Sequence, residues 1–319
     1  MYMYLTTAII CIIIVAIVAA FLVFGNLFVN EEKGIVVSNT SIPKSESSVA
    51  NSEEVSIDTP KSIIDVAGYK EISVQNSTLS DGDLILITNK AYSTAPDQAA
   101  IELTDLYSKK LKGIYSLTTA MSLVDTDAFN AFNKMMQDFY NATNESHVEV
   151  NAAYMSLAKL KEDEMLTTYA DLASGRALKL RVFPSENGKM GEGVFLWLTE
   201  HCDEYGYILR YPADKTEQTG VEPSASLFRY VGVTHSKYMK ANNLTLDEYI
   251  NLLKKYTYEK PLIYTDVVSG EVYRIYYEAI SLEASTKLYV PSDMAYSVSG
   301  NNVDGFIVTV SVNTAVASE

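Results

Sequence analysis

Apolar residues run almost without a break from Leu5 to Phe28, with no charged side chain among them. About 20 helical residues suffice to cross the hydrocarbon layer, so this run predicts one membrane span over residues 1–30. A cleaved secretory signal is the alternative. Its apolar core is usually only about 7 to 15 residues and follows basic residues, which this chain lacks before Lys33. Ala8-Ile9-Ile10-Cys11 makes a poor lipoprotein signal, because bulky Ile10 precedes the cysteine. The acidic pair Glu31-Glu32 and the Ser-rich stretch beyond it favour export of the C-terminal bulk, with the chain anchored in the cell membrane by a single pass. Residues 31–62 carry mostly Ser, Thr, Asn, Glu and Pro. Such a segment buries too little apolar surface to offset its ordering entropy and reads as a flexible stalk.

Folding signals begin near Ile63 and continue to Asn313 without a second linker or an internal repeat. Asp83-Leu84-Ile85-Leu86-Ile87 predicts a short buried strand after the turn at Asp81-Gly82, ending near Asn89-Lys90. From Ala128 to Tyr140, Phe129, Phe132, Met136, Phe139 and Tyr140 recur near a period of 3.6, with Asp127 as the expected cap. That stripe is a core-facing helix. A second helix is expected from Val194 to Tyr205, with Val194, Trp197, Leu198 and Tyr205 inward and Gly206 as its stop. Thr245-Leu246-Asp247-Glu248 is a capping box that opens a third helix running to Tyr256 and burying Leu246, Tyr249, Leu252 and Leu253. Beyond Pro261 the period becomes two, in Glu271 to Tyr277 and again in Gly305 to Val310, which predicts strands. Helices in the middle and strands at the end imply an α+β fold.

Charge and chemistry narrow the picture mainly by exclusion. The balance of 25 Lys+Arg against 40 Asp+Glu gives a net charge of −15, which disfavours nucleic acid as a partner. The only two cysteines are Cys11 and Cys202, so the globular part has no disulfide framework and no thiol-rich metal site. His147, His201 and His235 lie far apart without metal-ligand spacing and are expected to be surface or satisfied polar residues. Neither a Gly-x-Ser-x-Gly elbow nor a phosphate-binding Gly-rich loop is present.

A longer pattern is informative. Phe195-Leu196-Trp197-Leu198 is followed by Tyr205-Gly206-Tyr207-Ile208-Leu209-Arg210-Tyr211-Pro212, Lys215-Thr216, Thr219-Gly220 and Phe228-Arg229-Tyr230-Val231-Gly232. This string resembles the VanY-type D-alanyl-D-alanine carboxypeptidases, which are zinc D,D-peptidases. Asn133 to Thr143, Asn242 to Tyr249 and Ser299-Gly300-Asn301-Asn302-Val303-Asp304-Gly305-Phe306 resemble members with a C-terminal β extension. The resemblance implies a peptidase-type domain over residues 63–258, with a mixed or antiparallel sheet and packed helices, and a β-strand extension over residues 259–319.

The resemblance also implies a site, and this chain departs from it at every position that carries chemistry. The family pattern Ser-Glu-His-x-Thr-Gly-x-Ala-x-Asp corresponds to Ala170 to Lys179, placing Leu172 at the ligand His and Lys179 at the ligand Asp. The pattern Glu-Pro-Trp-His-x-Arg-Tyr-Val-Gly corresponds to Ser224 to Gly232. It places Ser224 at the general base, Ser226 at the pocket Trp and Leu227 at the second ligand His. The Arg that grips a terminal carboxylate in Ser-Gly-Tyr-Arg-Ser corresponds to Met155. Leu offers no lone pair, and Lys179 brings a cation where a dication would sit. Zinc, the family's cofactor, is therefore not expected, although Asp171, Asp214, Glu222 and His235 lie near enough in sequence to suggest a rebuilt site. Tyr154, Ser156, Ser174 and Ser226 remain as residues that could line a groove, while Ser174-Gly175 reads first as a turn, and Arg229 and Tyr211 as scaffold. Three functions stay open: a non-catalytic protein binding peptidoglycan stem peptide or an envelope protein, an active carboxypeptidase with an altered site, and a structural envelope protein.

Overall fold

A computed structural model describes residues 68–87 and 101–315, all within one compact unit spanning residues 61–319. The expected membrane span and stalk, the start of folding at Ile63 and the strand end at Asn89-Lys90 lie outside the described residues. Among the described residues no helix is long and apolar enough to cross a membrane.

Thirteen strands are present among the described residues: β1 (Tyr69–Gln75), β2 (Leu103–Asp105), β3 (Ser116–Leu117), β4 (Leu123–Asp125), β5 (Val148–Ala152), β6 (Ala177–Val182), β7 (Tyr207–Tyr211), β8 (Ser224–Tyr230), β9 (Leu262–Thr265), β10 (Val272–Ala279), β11 (Ser285–Pro291), β12 (Met294–Gly300) and β13 (Gly305–Ala315). The longer helices are α1 (Thr126–Thr143), α2 (Leu157–Glu162), α3 (Leu196–His201), α4 (Val233–Ala241) and α5 (Leu246–Leu253). The architecture is α+β.

The central sheet has the order β3-β5-β6-β8-β7, antiparallel except for the β3–β5 pair. Because side chains alternate across a strand, Leu178, Leu180, Val182 and Phe228 point to one face. There they meet the apolar stripe of α1, formed by Phe129, Phe132, Met136 and Phe139, as one buried cluster. The opposite face carries Ala177, Lys179 and Leu227. It packs under Leu160 of α2, Leu172, Ala173, Ile85 and Ile87.

Helix ends follow hydrogen bonding more closely than periodicity. The cap of α1 is Asp125, not Asp127: its carboxylate accepts from the N–H groups of Asp127 and Ala128 at 3.1 Å each. The Val194–Tyr205 segment divides into a 3-10 turn, α3 and a second 3-10 turn. Val194 is exposed, contrary to expectation, while Leu198 and Tyr205 are buried. Gly206 closes it at φ 81° as the stop residue. The capping box of Thr245 and Glu248 is formed, but α5 ends at Leu253 rather than Tyr256, and Leu252 is only partly buried.

In Asp83–Ile87, Leu84, Ile85 and Ile87 are buried as expected, but the segment is not a strand. Its backbone groups find partners elsewhere: Leu84 N–H donates to Ser299 Oγ, Leu86 N–H to the Asn301 carbonyl, and Arg229 to the carbonyls of Asp83 and Ile85. No sheet neighbour is required once those groups are satisfied.

The C-terminal strands form a sheet ordered β12-β13-β10-β9, and β11 pairs with β1 from the other end of the described chain. Ile275 and Ile307 from this sheet share a cluster with Leu246, Tyr249 and Leu253 of α5. The boundary expected at residue 258 thus falls between segments with a common core.

Candidate functional site

The segment Ala170–Ser174 forms a 3-10 turn against the central sheet and is stopped by Gly175 at φ 72°. Ser174 fixes this turn, donating its hydroxyl to the Asp171 carbonyl at 2.6 Å and accepting from Arg176 N–H at 2.9 Å. Ser174 is fully buried, so it lines no open groove; its role is that of the turn. Leu172, delivered by the same turn, and Leu227 on β8 are both 0% exposed and belong to one apolar cluster. Lys179 is the β6 partner of Leu227 across the sheet. Its ammonium lies 4.1 Å from the centroid of the Tyr169 ring, a cation–π contact. Met155 packs against the cluster, and its N–H donates to the Leu172 carbonyl at 3.4 Å. The three positions assigned to zinc ligands and the one assigned to the carboxylate clamp therefore surround a single cluster.

The remaining assigned positions have separate tasks. Ser224, half-buried at the start of β8, accepts from the Ser226 N–H at 3.3 Å. Ser156 caps α2, accepting from Lys159 N–H at 3.2 Å. Tyr154 is half-buried and lines a cavity of about 320 Å³ with Asp105, Ala120, Met121 and Leu123. Burial raises its phenol pKa above the ordinary value. Tyr154, Ser156 and Ser226 thus retain some solvent access, unlike Ser174.

A zinc ion would need lone-pair donors from these residues. Leu172 and Leu227 have none, and the Lys179 ammonium repels a dication. The neighbouring acids and histidine do not replace them. Asp171 is fully buried between two guanidiniums, 2.7 Å from Arg210 Nε and 3.2 Å from Arg229 Nε. His235 sits on α4, with Nδ1 2.9 Å from the Tyr249 hydroxyl and Nε2 3.2 Å from the Thr309 hydroxyl. Asp214 and Glu222 are exposed. Among the described residues no group of three or more His, Cys, Asp or Glu side chains could hold a metal ion. The residues present do not fit zinc.

Sequence reasoning missed the charged network beneath this cluster. Asp171 joins Arg210 and Arg229, and Arg210 reaches on to Asp247 at 2.6 Å. Nearby, Arg176 bridges Asp83 at 2.8 Å and Asp125 at 3.0 Å. Burial lowers the Arg229 pKa to about 10, with Asp171 opposing the shift, and it stays cationic near neutrality. The signal in the sequence was a single Arg inside each of two apolar strands, Tyr207–Tyr211 and Ser224–Tyr230. Arg229 and Tyr211 are scaffold, since both are buried and both contact Asp171. His147 and His201 are satisfied polar residues, bonded to Glu145 and Glu204 respectively.

No family model matches the chain. A D-alanyl-D-alanine carboxypeptidase of Enterococcus faecium is 30% identical over 266 residues, which cover 79% of this chain and 84% of that protein. This chain belongs to the D-alanyl-D-alanine carboxypeptidase family. A bifunctional D-Ala-D-Ala dipeptidase and carboxypeptidase, VanXYC of Enterococcus gallinarum, is 51% identical over 49 residues, 15% of this chain and 26% of that one. The crystal structure of the vancomycin-resistance D,D-dipeptidase VanXYg, in complex with a D-Ala-D-Ala phosphinate analogue, superposes with a TM-score of 0.62. It has 22% sequence identity and covers 76% of this chain and 99% of that one, a likeness of fold. Within this family the chain presents an apolar cluster and a lysine at the positions assigned to metal ligands.

Proposed function

We propose that this protein is a membrane-anchored, extracytoplasmic family member that binds the stem peptide of peptidoglycan without hydrolysing it. The observation that carries this reading is the complete burial of Leu172 and Leu227 in one apolar cluster beside Lys179. A metal lowers the pKa of its bound water only through direct coordination, and these side chains offer no ligand. Ser224 and Met155, at the positions of the base and the carboxylate clamp, supply neither a proton acceptor near neutrality nor a positive charge. Relatives named as D-alanyl-D-alanine carboxypeptidases and a solved structure bound to a D-Ala-D-Ala analogue support a peptide ending in D-Ala-D-Ala as the ligand. Tyr154, Ser156 and Ser226 are the residues proposed to line its groove.

The test uses the full chain and a peptide ending in D-Ala-D-Ala, with zinc added and after chelation. Binding without release of D-alanine is expected. Zinc-dependent release of D-alanine refutes the non-catalytic half, and absence of peptide binding refutes the other. The apolar run from Leu5 to Phe28 supports the anchor. Fractionation with membranes, and release of a stable fragment by external protease near residue 60, are expected; recovery of the intact chain in the soluble fraction refutes it.

A further inference from the structure

The second sheet bears a polar cavity remote in composition from the Leu172 cluster. In β12, β13 and β10, Ser297 stands opposite Thr309, Ala295 opposite Ser311, and Tyr273 opposite Ser311, so these side chains share one face. Further along the same face, Ile275 and Ile307 enter the cluster built around α5. The face therefore changes from aliphatic to hydroxyl-bearing as it leaves the helices. At that change a cavity of about 250 Å³ opens beneath the first turn of α4, where Thr234 and His235 complete its wall.

The lining limits the ligand. Neither Lys nor Arg reaches the cavity, and its one carboxylate, Asp83, is already paired with Arg176 at 2.8 Å. An anion would lack a counter-charge there. His235 is buried and neutral at ordinary pH, its ring held by Tyr249 and Thr309. The hydroxyls of Tyr273 and Thr309 already bond to Glu271 and His235, and an apolar ligand would strip solvent from exposed Ser297 and from the remaining lone pairs of the other two without replacing its hydrogen bonds. Hydroxyls donate and accept alike, so their best complement is a ligand with the same property, while the Tyr273 ring adds an apolar surface. The volume lies just under the usual range of ligand pockets, about 300 to 1,000 Å³, and suits a single ring. We propose that this cavity between α4 and the β12-β13-β10 face binds one neutral sugar ring.

The probes are glucose, N-acetylglucosamine and a chitin oligosaccharide, each presented to the full chain and followed by saturation-transfer NMR, and inorganic phosphate, followed by the width of its phosphorus resonance. Transfer to at least one neutral sugar and no broadening of the phosphate resonance are expected. A stronger response to the oligosaccharide than to either monosaccharide assigns the site to a glycan strand, and the reverse assigns it to a free sugar. Ser297→Trp, at an exposed position on edge strand β12, fills the cavity and should weaken sugar binding by about tenfold or more. Binding of the D-Ala-D-Ala peptide should be unchanged in that variant, which separates this site from the groove proposed above. Thr234→Leu, which removes a wall hydroxyl from the helix instead, gives the same readout if the tryptophan perturbs the strand. Phosphate binding in preference to sugar, no sugar binding, or sugar binding undiminished in both variants overturns the proposal.

Discussion

Replacing Leu172→His, Lys179→Asp and Leu227→His together restores the donors of a three-ligand zinc site, and the packing sets the cost. Both leucines are fully buried, and each forfeits roughly 2 kcal/mol of apolar burial when removed. Each new imidazole then carries ring nitrogens into an apolar cluster, which costs about 1 to 3 kcal/mol apiece without partners. Losing the contact of Lys179 with Tyr169 adds roughly 0.5 to 1 kcal/mol. The metal-free triple variant should thus be destabilised by about 6.5 to 11 kcal/mol, comparable with the whole stability of a domain, about 5 to 15 kcal/mol. Zinc at a thousandfold its Kd returns about 4 kcal/mol by mass action. Thermal melts with zinc and with chelator, together with zinc stoichiometry, read this directly. The parent protein should show the same Tm under both conditions, whereas the triple variant should melt low with chelator and regain part of the loss with one zinc bound. Hydrolysis should stay weak until Ser224→Glu and Met155→Arg supply the base and the carboxylate clamp. A triple variant that folds but takes no zinc, or whose Tm does not rise with zinc, refutes the claim that these three positions retain ligand geometry. A parent Tm that drops on chelation refutes the claim that the cluster needs no metal.

Removing the central carboxylate by Asp171→Asn leaves buried Arg229 without an anionic partner and Arg210 with Asp247 alone, so a loss of about 3 to 5 kcal/mol is expected in urea denaturation. A loss below roughly 1 kcal/mol would show that the network is not stabilising the turn at Ala170–Ser174. Burial holds His235 at about 4, below its ordinary 6.5, so between these values the unfolded chain binds a proton that the folded chain refuses. Its contribution is intact above about pH 6.5 and is lost as the pH falls toward 4, by about 3 kcal/mol in total. His235→Gln should flatten that part of the stability profile; an identical slope in the variant would assign it to the carboxylates instead.

Short-range patterns of this chain were legible without coordinates because their causes are local. The α1 stripe, the Thr245 capping box, the Gly206 stop and the alternation in β10 and β13 each depend on residues within a few positions of one another. The α+β class followed from their order, and the family from a string of scaffold residues, and the same comparison exposed Leu172, Lys179 and Leu227 where ligands were expected. What the sequence left open was settled by partners remote along the chain. Asp83–Ile87 has the composition of a strand but donates to Ser299 and Asn301 and accepts from Arg229, so the burial of its aliphatic residues was readable and its conformation was not. Ser174-Gly175 was readable as a turn, but that the turn buries Ser174 completely depends on how it packs against the sheet. The Asp171, Arg210 and Arg229 cluster draws one residue from a turn and one from each of two strands, and isolated charges in a sequence do not reveal their counter-ions. Only the tertiary structure could show that Leu172 and Leu227 are buried in one apolar cluster, because packing depends on which faces meet.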